Sequence, residues 1–157
     1  MKTLKDRVFL ESASLYSPTK NRMIQHKIKI RVRYGETDRM GYVYYGNYAT
    51  YFEVARVEGL RELGINYKDL EEDGVMLPVL EFKIKYYKPA YYDDELTIVS
   101  TVSKMPGVRI HFTYQTFNQK GDLLNEAETT LVFVDTKTQK PVSIPEDLRF
   151  RFQPFFH

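Results

Sequence analysis

The sequence predicts an α+β domain of two layers, one long helix packed on an antiparallel sheet of about five strands. Three observations predict it. One stretch, residues 47–64, carries apolar side chains at 3.6-residue spacing. One segment before it and several after it alternate apolar and polar residues with period 2. The later segments are joined by short turns, and tight connections make neighbouring strands antiparallel.

The totals suit that class. A chain of 157 residues fits one domain. It can bury a full core without disulfides. It has no cysteine, which excludes a disulfide scaffold, a thiolate metal site and a cysteine nucleophile, and fits a reducing compartment such as the cytoplasm. Twenty-three basic and 21 acidic residues are interspersed and leave a net charge of +2, so nothing calls for nucleic acid or an acidic membrane. No run approaches the roughly 18 apolar residues of a membrane span, and the N-terminal lysines precede no apolar stretch of a secretory signal.

Residues 1–25 show no clear period and read as an arm outside the core fold, helical in part from Leu4 to Leu15. The domain proper is then 26–157. From His26 to Tyr34, Ile28, Ile30, Val32 and Tyr34 share one face, with Lys27, Lys29, Arg31 and Arg33 on the other, as in a half-buried strand. The helix follows a loop. Tyr48, Tyr51, Phe52, Ala55, Gly59 and Leu63 make its apolar face, Asn47 suits the N-cap, and Gly64 suits the left-handed residue after the last turn. Gly59 on that face predicts close packing against a sheet. The segment "NYKDLEEDG" reads as a helical turn ending at Gly74. Four strands follow. Leu80, Phe82, Ile84 and Tyr86 mark the first, and Leu96, Ile98, Ser100 and Val102 the second. Ile110, Phe112 and Tyr114 mark the third, and the last runs from about Leu123 to Asp135. A final helical turn starts near Pro145.

Few residues offer chemistry. No dinucleotide or phosphate loop and no H-E-x-x-H motif is present. His26, His111 and His157 lie far apart, and His111 falls on the polar face of its strand. The loop "YGETDRMGYVYYGNY", Tyr34 to Tyr48, is the exception, with Glu36 and Asp38 placed just before a helix N-terminus. Such a terminus offers unpaired N–H groups and partial positive charge, which stabilise an oxyanion. A carboxylate beside it makes a workable pair for acyl transfer. Gly41 and Gly46 let the loop bend and a ligand approach. The residues alone leave a second role open, in which Asp38 closes an Asx-turn and Asn47 only caps.

The same stretch resembles the signature of the 4-hydroxybenzoyl-CoA thioesterase family, a branch of the hot-dog-fold acyl-CoA thioesterases. The matching residues are Tyr34, Glu36, Asp38, Gly41, Val43, Tyr44 and Tyr48. The resemblance continues through "YFEVARVEGLRELG", "YYKPAYYDDEL" and "AETTLVFVD", and covers about residues 26–148. It implies an antiparallel sheet wrapped around the long helix and a homodimer or homotetramer. It implies no cofactor or metal, and an acyl-CoA substrate. Asp38 matches the catalytic carboxylate, which attacks the thioester carbonyl or activates a water. The backbone N–H of Tyr45 matches the group that polarises that carbonyl. Many relatives carry His where this chain has Tyr45, which keeps the backbone donor but not the imidazole.

Val43, Tyr44, Tyr48 and Tyr51 are then candidates for the acyl pocket or for ordinary core packing. Lys83, Lys85, Lys88 and Arg109 are candidates for the CoA phosphates or for a solvated strand face. Three alternatives stay open: an acyl carrier protein thioesterase, a hot-dog hydratase or dehydratase, and a non-catalytic acyl-CoA-binding module. The loop holds no histidine, which the hydratases use with a carboxylate.

Overall fold

The computed structural model describes residues 22–156. The expected N-terminal arm lies outside them, save for its last four residues. The first strand, β1, spans Ile24–Arg31 and so begins two residues before the expected start. It also ends earlier, because Tyr34 sits in a 3-10 turn, Tyr34–Glu36, with its ring exposed.

The long helix α1 spans Asn47–Glu62. A short helix α2 covers Tyr67–Glu72, and its Asn66 cap accepts the Lys68 N–H at 2.9 Å. Next come β2 (Val75–Met76), β3 (Val79–Tyr86) and β4 (Glu95–Val102). They are followed by β5 (Arg109–Phe117), β6 (Leu123–Val132) and β7 (Val134–Asp135). Helix α3, Glu146–Phe152, closes the fold and buries Leu148 and Phe152.

Five strands form one antiparallel sheet in the order β1-β4-β5-β6-β3, and β2 pairs with β7 in a separate ribbon. The last strand is therefore not continuous to Asp135 as expected. Phe133 leaves the ladder, its N–H bonds to the Val108 carbonyl at 3.0 Å, and the chain beyond it pairs with β2.

The sheet wraps α1. Phe52, fully buried, stacks on Tyr114 of β5 with ring centroids 4.5 Å apart and meets Phe82 of β3 at 6.1 Å. Tyr48 meets Tyr86 of β3 at 5.7 Å. On the other flank, a Cβ at Gly59 would stand 3.4 Å from His26 Cβ of β1 and 3.6 Å from Ser100 Oγ of β4. Glycine there lets the helix backbone approach both strands, as the sequence predicted. The buried face differs in detail: Leu60 replaces Leu63 at its end, and Arg56 joins it. Arg56 is buried beside the Tyr67 and Tyr114 hydroxyls.

Candidate active site

The loop between β1 and α1 is a knotted turn rather than a free excursion. Glu36 holds its start. The carboxylate accepts the Arg33 N–H at 2.8 Å and Arg33 Nη2 at 3.1 Å. Burial opposes ionisation of Glu36, yet the Arg33 hydrogen bonds outweigh it and hold the carboxyl below its ordinary value. The Glu36 carbonyl holds the loop's other end, accepting the Tyr44 N–H at 3.0 Å and Asn47 Nδ2 at 2.8 Å. Asn47 is thus not the N-cap. Gly46 occupies that position and no side chain accepts a bond there, because the Asn47 amide is committed to Glu36.

Between these anchors the chain turns on Asp38. Its N–H donates to the Tyr42 carbonyl at 3.0 Å, its carbonyl accepts the Gly41 N–H at 2.9 Å, and Oδ1 accepts the Met40 N–H at 2.8 Å. Gly41 sits at φ +87°, a left-handed conformation that glycine adopts without strain. The Asx-turn that the sequence left open does form. It uses one carboxylate oxygen, and among the described residues no hydrogen bond engages the other. Val43 then donates to the Ala90 carbonyl at 2.9 Å, and Tyr42 bridges to Tyr91, which fastens the loop to the segment after β3.

Asp38 lines a cleft of about 280 Å³ with Val43, Tyr45, Tyr48, Tyr86 and Lys88. Helix α1 starts at its wall. Among the described residues, the Tyr45 and Gly46 N–H groups donate to no protein acceptor. The partial positive charge of the helix terminus falls on the same place. The Tyr48 and Tyr86 phenols stay protonated at neutral pH. Burial and the neighbouring Tyr86 leave Tyr48 pushed up to about 12, and burial with the nearby Tyr45 raises Tyr86. The Tyr86 hydroxyl donates to the Tyr45 carbonyl at 3.2 Å.

Four of the six candidates from the sequence, Asp38, Val43, Tyr45 and Tyr48, thus meet in one cleft. Tyr44 and Tyr51 lie outside its lining. Tyr44 is exposed, its ring 4.8 Å from that of Tyr45. Tyr51 is buried next to Glu36, where burial first and the carboxylate's charge second raise its hydroxyl well above the usual range. Of the basic candidates only Lys88 lines the cleft; it pairs with Asp122 at 3.7 Å. Lys83 pairs with Glu128 at 3.6 Å on the sheet's outer face, Lys85 lies over the Tyr87 ring, and Arg109 is exposed at the start of β5. His111 also faces outward and bonds Glu128 at 2.8 Å.

Tyr86, Tyr87 and Pro89 were not singled out for the site, although "YYKPAYY" carries an unusual density of tyrosine. A larger groove of about 500 Å³ crosses the outer face among Lys83, Lys85, Gln115 and Glu128. It lies on strand residues away from any helix terminus, so the smaller cleft is the candidate site. Among the described residues no group of three His, Asp or Glu side chains is placed to hold a metal.

This fold, with its cleft at the start of the wrapped helix, is that of the hot-dog proteins. The chain belongs to the Thioesterase-like superfamily, which it matches over residues 32–152, and the resemblance drawn from residues 34–48 is borne out. The acyl-CoA thioester hydrolase YbgC of Escherichia coli O6:H1 is 36% identical over 124 residues, spanning 79% of this chain and 92% of that one. The chloroplastic acyl-acyl carrier protein thioesterase ATL3 of Arabidopsis thaliana is 32% identical over 133 residues, 83% of this chain and 68% of that one. The crystal structure of a DHNA-CoA thioesterase from Staphylococcus aureus superposes with a TM-score of 0.79 at 34% identity, covering 82% of this chain and 89% of that one. By family the protein is a thioesterase enzyme. No helix among the described residues is long and apolar enough to cross a membrane.

Proposed function

We propose that this protein hydrolyses acyl-CoA thioesters, with Asp38 as the reacting carboxylate and the Tyr45 N–H as the oxyanion donor. The observation that carries the reading is the meeting of a half-engaged carboxylate and an unengaged helix-terminal N–H in one cleft. The thioester carbonyl lies toward the Tyr45 N–H. The second Asp38 oxygen attacks the carbonyl carbon, or takes a proton from a water that does. Charge then builds on the carbonyl oxygen, where the N–H and the helix terminus stabilise it. A single donor of this kind is worth about 3–4 kcal/mol. The intermediate collapses by breaking the C–S bond, and where Asp38 itself attacked, water then hydrolyses the acyl–Asp38 anhydride to free the acid and restore the carboxylate. A thiolate of pKa about 8.5 leaves without a strong general acid. That accounts for a site with no histidine in the cleft. The protonated Tyr48 and Tyr86 serve as wall and as neutral donors.

The working form we propose is a homodimer or a pair of dimers. Strand β3 lies at a sheet edge and leaves Leu80, Phe82 and Tyr86 exposed, an apolar strip that a second copy covers. Tyr86 belongs to both the strip and the cleft, so assembly would complete the site wall.

A thiol-release assay over a panel of acyl-CoAs tests the function. Saturable CoA release is the expected result; no release from any member of the panel would refute it. The similarity to ATL3 favours one second reading, an acyl carrier protein thioesterase, because both thioesters end in the same pantetheine arm. Turnover of acyl carrier protein thioesters with none of CoA thioesters would select it. Light scattering at working concentration reads the assembly, and a monomer would refute the dimer.

A further inference from the structure

Helix α3 carries apolar surface on its outward side. Leu148 and Phe152, four residues apart, face inward and are buried, while Phe150 on the opposite side stands 76% exposed. Phe150, Pro154, Phe155 and Leu63, which follows the last turn of α1, line a shallow groove of about 650 Å³. A single exposed apolar residue is ordinary, but an open phenyl ring joined to three more apolar residues in one groove marks a contact surface. The rim is acidic. Glu146 and Asp147 line it and are exposed. Arg151 lines it too, but its guanidinium donates to the Leu63 carbonyl at 3.2 Å. Arg149 pairs with Glu146 at 3.9 Å, and among the described residues Asp147 has no ion-pair partner.

Two observations say what covers the groove. The first is where the chain outside the described residues ends. Ile24, the first residue of β1, shares a small niche with Leu63 and Phe152, so residues 1–21 leave the domain beside the groove. The 13 residues between Leu10 and Ile24 span up to roughly 40 Å when extended, so reach is not limiting. The second is composition. The run "LKDRVFL", residues 4–10, holds four apolar residues in seven, and residues 1–21 carry four basic against two acidic side chains. Apolar side chains with an excess of positive charge match an apolar groove with an acidic rim. A second copy has less claim on it. β1 and β3 are opposite edges of the sheet, and the apolar strip proposed for the dimer lies on β3.

We infer that residues 1–21 fold back within the same chain and seat the run Leu4–Leu10 on Phe150 and Leu63, strapping together the end of α1, the start of β1 and α3. The strap is separate from the acyl-CoA chemistry, since no residue of the groove lines the cleft of Asp38.

Trypsin cleavage after Lys5 and Arg7 in the whole chain tests it. A protease cuts a docked segment only in its open form, so the rate reports the docked fraction. These sites should be cut roughly tenfold or more slowly in the natural protein than in a synthetic peptide of residues 1–21. Phe150→Asp should bring the rate to within about twofold of the peptide's, and Phe150→Leu should leave it slow. Asp147→Lys, an exposed change that repels the basic residues of the segment, should speed cleavage about threefold. Where Phe150→Asp fails to fold, Asp147→Lys alone decides. The slow rate of the natural protein should hold across about a hundredfold dilution, because docking within one chain does not depend on concentration. Sites cut as fast as in the peptide, or still slow in the deciding variant, overturn the inference. Protection that fades on dilution also overturns it and gives the groove to a second copy.

Discussion

The Tyr86 hydroxyl donates to the Tyr45 carbonyl oxygen across 3.2 Å, joining the end of β3 to the residue that precedes the Gly46 cap of α1. The two residues are 41 positions apart, yet this bond fixes the peptide next to the proposed oxyanion donor. Removing it in Tyr86→Phe keeps the ring contact with Tyr48 and loses only the hydroxyl. Net stability should fall by about 0.5–1 kcal/mol, the lower part of the usual range because the ring is half exposed. The expected change in kcat is larger in consequence, roughly three- to tenfold down, since the Tyr45 peptide gains freedom where charge develops. Steady-state kinetics with a thermal melt check both; an unchanged kcat would show that the bond does not position the donor.

Two glycines share a backbone conformation and differ in what hangs on it. Gly41 at φ +87° closes the Asp38 turn, and Gly64 at φ +77° ends helix α1. Alanine at either costs about 1–2 kcal/mol of strain. At Gly64 the new Cβ would also press on the flexible end of Arg151, at 2.6 Å. Both variants should melt earlier. Only Gly41→Ala should also lose more than about tenfold in kcat, because the loop relaxes by moving Asp38. Equal kcat losses in the two would contradict a special role for the turn.

Glu36 links folding to pH. Its carboxyl is held below the ordinary 4.5 in the folded protein, chiefly by Arg33 against the opposing effect of burial. A depressed folded value means stability that is fully present above the unfolded pKa and lost as pH falls through the folded one. Urea midpoints measured from pH 7 down to pH 3 should therefore drop below about pH 4.5. Part of that drop should be missing in Glu36→Gln. The same slope in both proteins would show that other carboxylates carry it.

Much of this was legible in the sequence, and the gaps have physical causes. Alternation gave the strands and the 3.6 spacing gave α1, because each element buries one face and periodicity records which. Gly59 predicted the close approach of helix and sheet from a missing side chain alone. Asn47 misled, since its true partner is the Glu36 carbonyl, 11 residues earlier, and local capping rules see only the next turn. Tyr44, Tyr48 and Tyr51 looked equivalent as pocket wall. They separate because Tyr44 lies outside the helix, while Tyr51 meets Glu36 rather than the cleft.

The central claim is that Asp38 reacts with the thioester, and Asp38→Asn tests it most directly. The amide oxygen can still accept the Met40 N–H, so the turn, the melting temperature and the assembly size should stay as they are. The nucleophile or base is lost. The rate of CoA release under saturating acyl-CoA should fall by about a thousandfold or more, the scale on which acid–base and covalent groups act. A folded Asp38→Asn protein that releases CoA within a few fold of the natural rate would contradict the account.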